Sequence, residues 1–168
     1  MKLGRFDGAA SIPADRRCLA ALGPNMLGLA SDRSLGPAPY FVPVEHTRSA
    51  RERIGAGAWL APELAFHLGP DSERQESRGY AAKYLALENY AGNLRRFGFG
   101  NEDLDGGGSD RLLDALVPQG DAAHIALVAH NHLEAGADHV ALQPIWAAGI
   151  PGEQWSEVAD ALELRGEG

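Results

Sequence analysis

Residues 17–25 read RCLAALGPN, and the rest of the chain is best read outward from them. The apolar run 17–22 is too short for a helix and stops at Gly23-Pro24, so it predicts a buried strand ending in a tight loop. Met26, Leu27, Leu29 and Ala30 follow with helical spacing and predict a short helix over 25–33. A buried strand that turns directly into a helix is the building unit of a parallel sheet.

The same alternation continues downstream. Leu35–Pro39 reads as a Gly/Pro loop, Tyr40–Val42 as a short strand closed by Pro43, and Val44–Ile54 as a charged, exposed helix ended by Gly55-Ala56-Gly57. Trp59–Leu68, with Leu64, Phe66 and Leu68 alternating, predicts a third strand. Helices are expected over 72–87 and 89–97, then a flexible loop over 98–108. Ser109 caps a helix to Val117, and Asp121 caps another over 122–135, which Gly136 ends. His139–Gln143 is a fourth strand and Glu153–Leu164 a terminal helix. Four strands alternating with helices predict an α/β fold with parallel strands and right-handed crossovers. Residues 1–168 read as one domain, with 1–11 a ragged lead-in.

Lys and Arg number 15 against 23 Asp and Glu, a formal charge of −8. Such a chain lacks the field that attracts nucleic acid or anionic lipid. No apolar run is long enough to span a membrane, and the N-terminus lacks the apolar core of a signal peptide. The single cysteine, Cys18, rules out an internal disulfide and reads as a buried, inert thiol. A cytoplasmic protein is expected.

His124, His130, His132 and His139 are dense enough to raise a metal site. On a helical projection, however, His130 and His132 fall on nearly opposite faces and make no i, i+4 pair, so no metal is expected there. They read as surface or half-buried residues, and His139 as hydrogen-bonded to Asp138. Gly106-Gly107-Gly108-Ser109 lacks the Lys of a phosphate-binding P-loop and reads as a loop with a Ser cap. Tyr84, Tyr90 and Phe97 read as contacts between helices. Glu63 has no partner in sequence and reads as a surface charge; Thr47 reads as a helix-start residue. Leu22-Gly23-Pro24-Asn25 is the more informative stretch. It sits where parallel α/β folds bind cofactors, and the free N–H groups of its helix suit a phosphate.

Four stretches carry a resemblance to a known family: IPADRRCLAALGPNMLGLASDRSLGPAPYFVPVEHTRSAR (12–51), LAPELAF (60–66), NYAGNLRRFGFGNEDLDGGGSDRLLDALVPQGD (89–121) and HLEAGADHVALQP (132–144). In order and spacing they resemble the second half of the luciferase-like monooxygenase superfamily. The nearest branch is that of the actinobacterial oxidoreductases using the 8-hydroxy-5-deazaflavin coenzyme F420. Members are (β/α)8 TIM barrels, so the resemblance implies strands five to eight with their outer helices: a partial barrel. It implies hydride transfer between F420 and a small organic substrate, with an FMN-dependent monooxygenase as the variant. It places Ala20, Ala21, Gly23 and Pro24 against the cofactor, and Tyr40, Glu45, His46 and Glu63 at the barrel's C-terminal face. Tyr40, His46 and Glu63 are thus the pocket candidates. The chain departs from the family at Asn25, where a basic residue is common, and at Ala38-Pro39, where a histidine tends to precede Tyr40. Half a barrel has open edges, so a homodimer, a separate N-terminal half, or a non-catalytic remnant is expected.

Overall fold

The computed structural model describes residues 12–145 and 150–164; the lead-in over 1–11 lies outside them. Along those residues run strands β1 (Cys18–Ala20), β2 (Gly36–Ala38), β3 (Glu63–Leu68), β4 (Gln119–Gly120) and β5 (Ala141–Pro144). The helices are α1 (Pro24–Arg33), α2 (Val44–Ile54), α3 (Arg74–Leu85), α4 (Glu88–Arg96), α5 (Asn101–Leu104), α6 (Asp110–Leu116), α7 (Ala122–Glu134) and α8 (Gly152–Ala161). All paired strands are parallel: β1 with β2, and β3 with both β4 and β5. This is the expected α/β class, and no barrel closes among the described residues.

Backbone hydrogen bonds join these strands more closely than the ladders alone. Trp59, Ala61 and Glu63 donate to the carbonyls of Leu35, Pro37 and Pro39, while His67 and Gly69 donate to those of Pro118 and Gly120. Both groups leave the same edge of β3. β2 therefore flanks the first half of this edge and β4 the second, with β5 on the other edge. The short strand expected at Tyr40–Val42 lies instead at Gly36–Ala38. Tyr40 makes only an isolated bridge to Glu63, and Phe41 turns the chain away with φ 55°. Pro37 and Pro39 masked the strand in the sequence because they have no N–H. In a parallel ladder their missing donors would answer the carbonyls of Trp59 and Ala61, so β2 meets β3 through one set of bonds only.

Side-chain alternation divides the sheet. Leu64 and Phe66 face α7 and α8, packing on Ile125, Val128, Ala129 and Val158. Leu19 and Leu60 pack under α1 and α2 with Leu27, Ala30 and Ala50. The opposite face carries Ala65, which packs with Phe41, Leu94, Leu112 and Leu116 beneath the helical excursion α3–α6. Toward the strand beginnings that face is uncovered among the described residues, and Cys18 and Ala141 are exposed. Cys18 is consequently an exposed thiol rather than a buried one.

The stretch 98–108 is not a plain loop. It holds α5 and a 3-10 turn over Asp105–Gly107. Asp103 organises it, accepting from Gly100 N at 2.9 Å, Ser109 Oγ at 2.7 Å and Arg111 Nη2 at 2.5 Å. The Arg111 and Ser109 hydrogen bonds hold this carboxyl down at about 2. Ser109 and Asp121 cap α6 and α7 as expected, accepting from Leu112 N and His124 N. Asp138 does not pair with His139. It accepts from Arg51 at 2.5 Å and from Leu60 N at 2.8 Å. α2 is likewise not merely a charged surface helix, since His46, Thr47 and Ala50 are buried.

A side chain at Gly36 would collide with the Trp59 carbonyl oxygen, and its Cβ would fall 2.6 Å from Trp59 C and 2.7 Å from Trp59 N. Backbone cannot swing aside as a flexible side chain can. Gly36→Ala is expected to lose about 3 kcal/mol or more of stability in a denaturant titration. Gly57→Ala, which meets nothing within 4 Å, is the matched control.

Candidate functional site

At the C-terminal ends of β1 and β2 the structure forms a cleft of about 380 Å³. Its lining includes Ala20, Ala21, Leu22 and Gly23 from the β1–α1 turn, Ala38 and Tyr40 after β2, and Asn89, Tyr90 and Arg96 from α4. Parallel sheets present ligand sites at this end because strands deliver their loops, and helices their N-termini, to the same place.

Gly23 is the N-cap of α1, with no side-chain cap, and Pro24 is its first residue. Proline has no N–H, and the first helical bond runs from Leu27 N to Gly23 O at 3.0 Å. Asn25 and Met26 are therefore left with amides that α1 itself does not satisfy. The guanidinium of Arg96 lies beside this terminus: a Cβ on Gly23 would stand 3.3 Å from its Nη1. Arg96 is exposed and forms no ion pair among the described residues. A helix N-terminus, a close cation and a side-chain-free approach together suit an anion such as a phosphate. The cation beside this turn comes from α4.

The structure brings Ala20, Ala21, Gly23 and Tyr40 to the cleft wall. Pro24 stands just outside the lining, its carbonyl accepting from Arg53 Nε at 2.7 Å. Tyr40 donates to Gln143 Oε1 at 3.2 Å and lies edge-on to Tyr84, with ring centroids 5.0 Å apart. Tyr84 and Tyr90 are helix contacts as expected, but Tyr90 also lines the cleft. Glu63 is half-buried at the Tyr40 bridge, and burial raises its carboxyl. Its charge is also among the causes that raise the Tyr90 phenol, after burial and Tyr84. Glu45 is an exposed residue in the first turn of α2.

His46 does not line the cleft. It is buried behind the cleft wall, and its Nε2 donates to Leu22 O at 2.8 Å, which holds the β1–α1 turn from beneath. Its ring packs edge-on to Phe97 at 5.3 Å. Thr47 Oγ1 and His132 Nδ1 share a 2.8 Å hydrogen bond. His132 is thus fully buried, whereas His130 is exposed and bonds Ala126 O on its own helix. Sequence reasoning missed Arg96 and Asn89 because nothing in α4 marks which turn faces β1. The Arg95-Arg96 pair reads equally well as charge at a helix C-terminus.

No family model matches the chain, and no curated protein matches it. Solved structures do. An F420-dependent secondary alcohol dehydrogenase in complex with an F420-acetone adduct superposes with a TM-score of 0.57 at 13% identity, over 85% of this chain and 47% of that one. The coenzyme F420-dependent tetrahydromethanopterin reductase from Methanopyrus kandleri gives 0.57 at 16% identity, over 86% and 48%. The chain shares their fold and spans about half their length. Among the described residues no helix is long and apolar enough to cross a membrane.

The buried histidines give the fold a pH dependence. Burial pushes the His132 imidazole down to about 4, with His46 a further cause. Burial also lowers His46, assisted by the Arg96 charge and opposed by the Leu22 carbonyl. Unfolded, such rings bind protons near the ordinary value of 6.5. Stability is then complete above about pH 6.5 and falls as pH drops toward 4, because the unfolded chain takes up more protons. His132 alone contributes about 3 kcal/mol across that window. Denaturant unfolding followed from pH 7 to 4.5 is expected to show the fall, and His132→Gln to flatten much of it.

Proposed function

We propose that this chain is an F420-linked oxidoreductase, or the half of one that carries the coenzyme's phosphate. The cleft is the carrying observation: the uncapped α1 N-terminus and Arg96 converge on a side-chain-free approach at Gly23. Two F420-dependent enzymes with the same fold support the choice of coenzyme. The residues present fit the group. The Asn25 and Met26 amides and Arg96 would take a phosphate oxygen, and Ala20, Ala21 and Ala38 leave room on the wall. Tyr40 and Tyr90 would bound the side nearer the aromatic cluster. Bound there, the deazaflavin would supply hydride chemistry toward a small organic substrate, with the protein orienting it. His46 would act from behind, fixing Leu22 and hence the pitch of the turn. FMN carries a phosphate that the same donors would accept.

A second reading has an observation of its own. Among the described residues Cys18 and Ala141 leave the inner sheet face open near the strand beginnings, and the chain covers about half of its structural neighbours. On this reading it is a partner subunit or a non-catalytic remnant, completed by a second copy or by a separate N-terminal half.

Titration of the folded chain with F420 and, separately, with FMN distinguishes these readings, with tryptophan quenching as readout. Saturable micromolar F420 binding is expected. Arg96→Gln should weaken it roughly tenfold or more, the loss of one charge-assisted hydrogen bond. Arg96 is exposed, so the substitution should leave the unfolding transition in place. Tighter binding of FMN would favour the flavin variant. Binding of neither by a folded chain would sink the oxidoreductase reading and leave the subunit or remnant.

A further inference from the structure

His67, Glu73 and Glu76 converge at the C-terminal end of β3, away from the cleft lining. His67 Nε2 lies 3.3 Å from Glu73 Oε2 and 3.6 Å from Glu76 Oε2. The three ligand atoms all fall within 4.8 Å of one another. The imidazole side chain is only 6% exposed, against 46% and 33% for the carboxylates. Neither carboxylate has another cationic partner among the described residues; Arg74 and Arg78 nearby in sequence pair with Asp110 and Asp114 instead.

The neighbouring groups set the orientation of the His67 ring. Gln119 Nε2 donates to Pro70 O at 2.5 Å, which leaves Gln119 Oε1 to accept from Ser77 Oγ at 2.8 Å. The Ser77 hydroxyl proton is thereby committed to Gln119. Its oxygen faces His67 Nδ1, 3.5 Å away. Nε2, on the far side of the ring, points at the two carboxylates. Two carboxylate oxygens and an imidazole nitrogen facing one another form a donor set that a shared cation would neutralise.

The spacing suits a metal better than a proton. Both Nε2–O separations exceed the length of a good N–H···O bond. Two ligand atoms at about 2.1 Å from a tetrahedral zinc lie about 3.4 Å apart. Gly69 keeps the centre open: a Cβ there would collide with Glu73 Oε2 and come 3.2 Å from His67 Nε2. A nitrogen donor with two carboxylates selects zinc or a similar transition ion over magnesium or calcium. We propose that His67, Glu73 and Glu76 bind a divalent transition-metal ion, zinc for preference. Water takes the fourth position on the solvent side, and Ser77 and Gln119 hold the imidazole from behind.

Cobalt(II) titration of the full-length chain, followed by displacement with zinc, tests this. One equivalent of cobalt should give the visible bands of a tetrahedral site, and zinc should abolish them. The Glu73→Gln/Glu76→Gln double variant alters two partly exposed side chains and should still fold, as checked by circular dichroism. It should bind at least roughly 100-fold more weakly. Ser77→Ala, which frees the ring behind the site, should cost about tenfold. Absence of tetrahedral bands would overturn the proposal. Zinc affinity unchanged in the double variant would do so as well, since binding would then reside on exposed histidines such as His124, His130 and His139.

Discussion

The backbone of residues 59–69 is the constraint on which the rest of the fold depends. Amides 59, 61, 63, 67 and 69 all donate from one edge, first to the β2 stretch and then to β4. The carbonyls of Leu60, Pro62 and Phe66 accept on the other edge from Asp138, Ala141 and Ile145. One extended segment thus fixes the register of three others. With register fixed, side-chain parity follows: Leu64 and Phe66 must enter the core under α7 and α8, and Glu63, Ala65 and His67 must point the other way. Arg51 reinforces the arrangement from α2, donating to Gly136 O at 2.7 Å and Ala58 O at 2.9 Å as well as to Asp138.

Both candidate sites are consequences of that parallel arrangement. Strands running one way deliver their turns to one end of the sheet, where helix N-termini also gather. The Gly23 turn follows β1, and the His67 cluster closes β3. They differ in how their partners arrive. The cleft takes Arg96 from a helix far along the chain, whereas Glu73 and Glu76 come from the turn and helix immediately after the strand. The short chain separation makes the His67 cluster a local feature, while the cleft depends on α4 docking correctly.

Elements governed by local chemistry were legible in the sequence. Gly23-Pro24 marked the β1–α1 turn, and Ser109 and Asp121 marked two helix starts through hydrogen bonds to residues three positions on. Elements governed by distant partners were not. Gly36–Ala38 is a strand despite Pro37 within it and Pro39 beside it because it pairs in register with β1 and its carbonyls accept from residues 59–63 on the other side. Residues 98–108 are ordered because Asp103 finds Arg111 and Ser109. Cys18 is exposed because, among the described residues, no helix covers its side of β1, which no local pattern encodes. The site divides in the same way. Ala20, Ala21 and Gly23 could be placed from the turn and from the family resemblance. Arg96 could not, since its role depends on a packing contact 73 positions from Gly23.

The prolines of β2 have a mechanical consequence. Pro37 and Pro39 accept from β3 and return nothing, so β1, β2 and their helices meet the central strand through a depleted ladder. β5, joined to β3 in full register over Glu63–Phe66, has no such deficit. The molecule therefore carries a seam, where fewer backbone hydrogen bonds oppose local opening than along the β3–β5 pair. The cleft straddles it, with Ala20 and Ala38 on one bank and Tyr90 and Arg96 on the other. Any molecule that bridges the two banks acts as a clasp: it raises the cost of local opening by the free energy with which it binds the closed form.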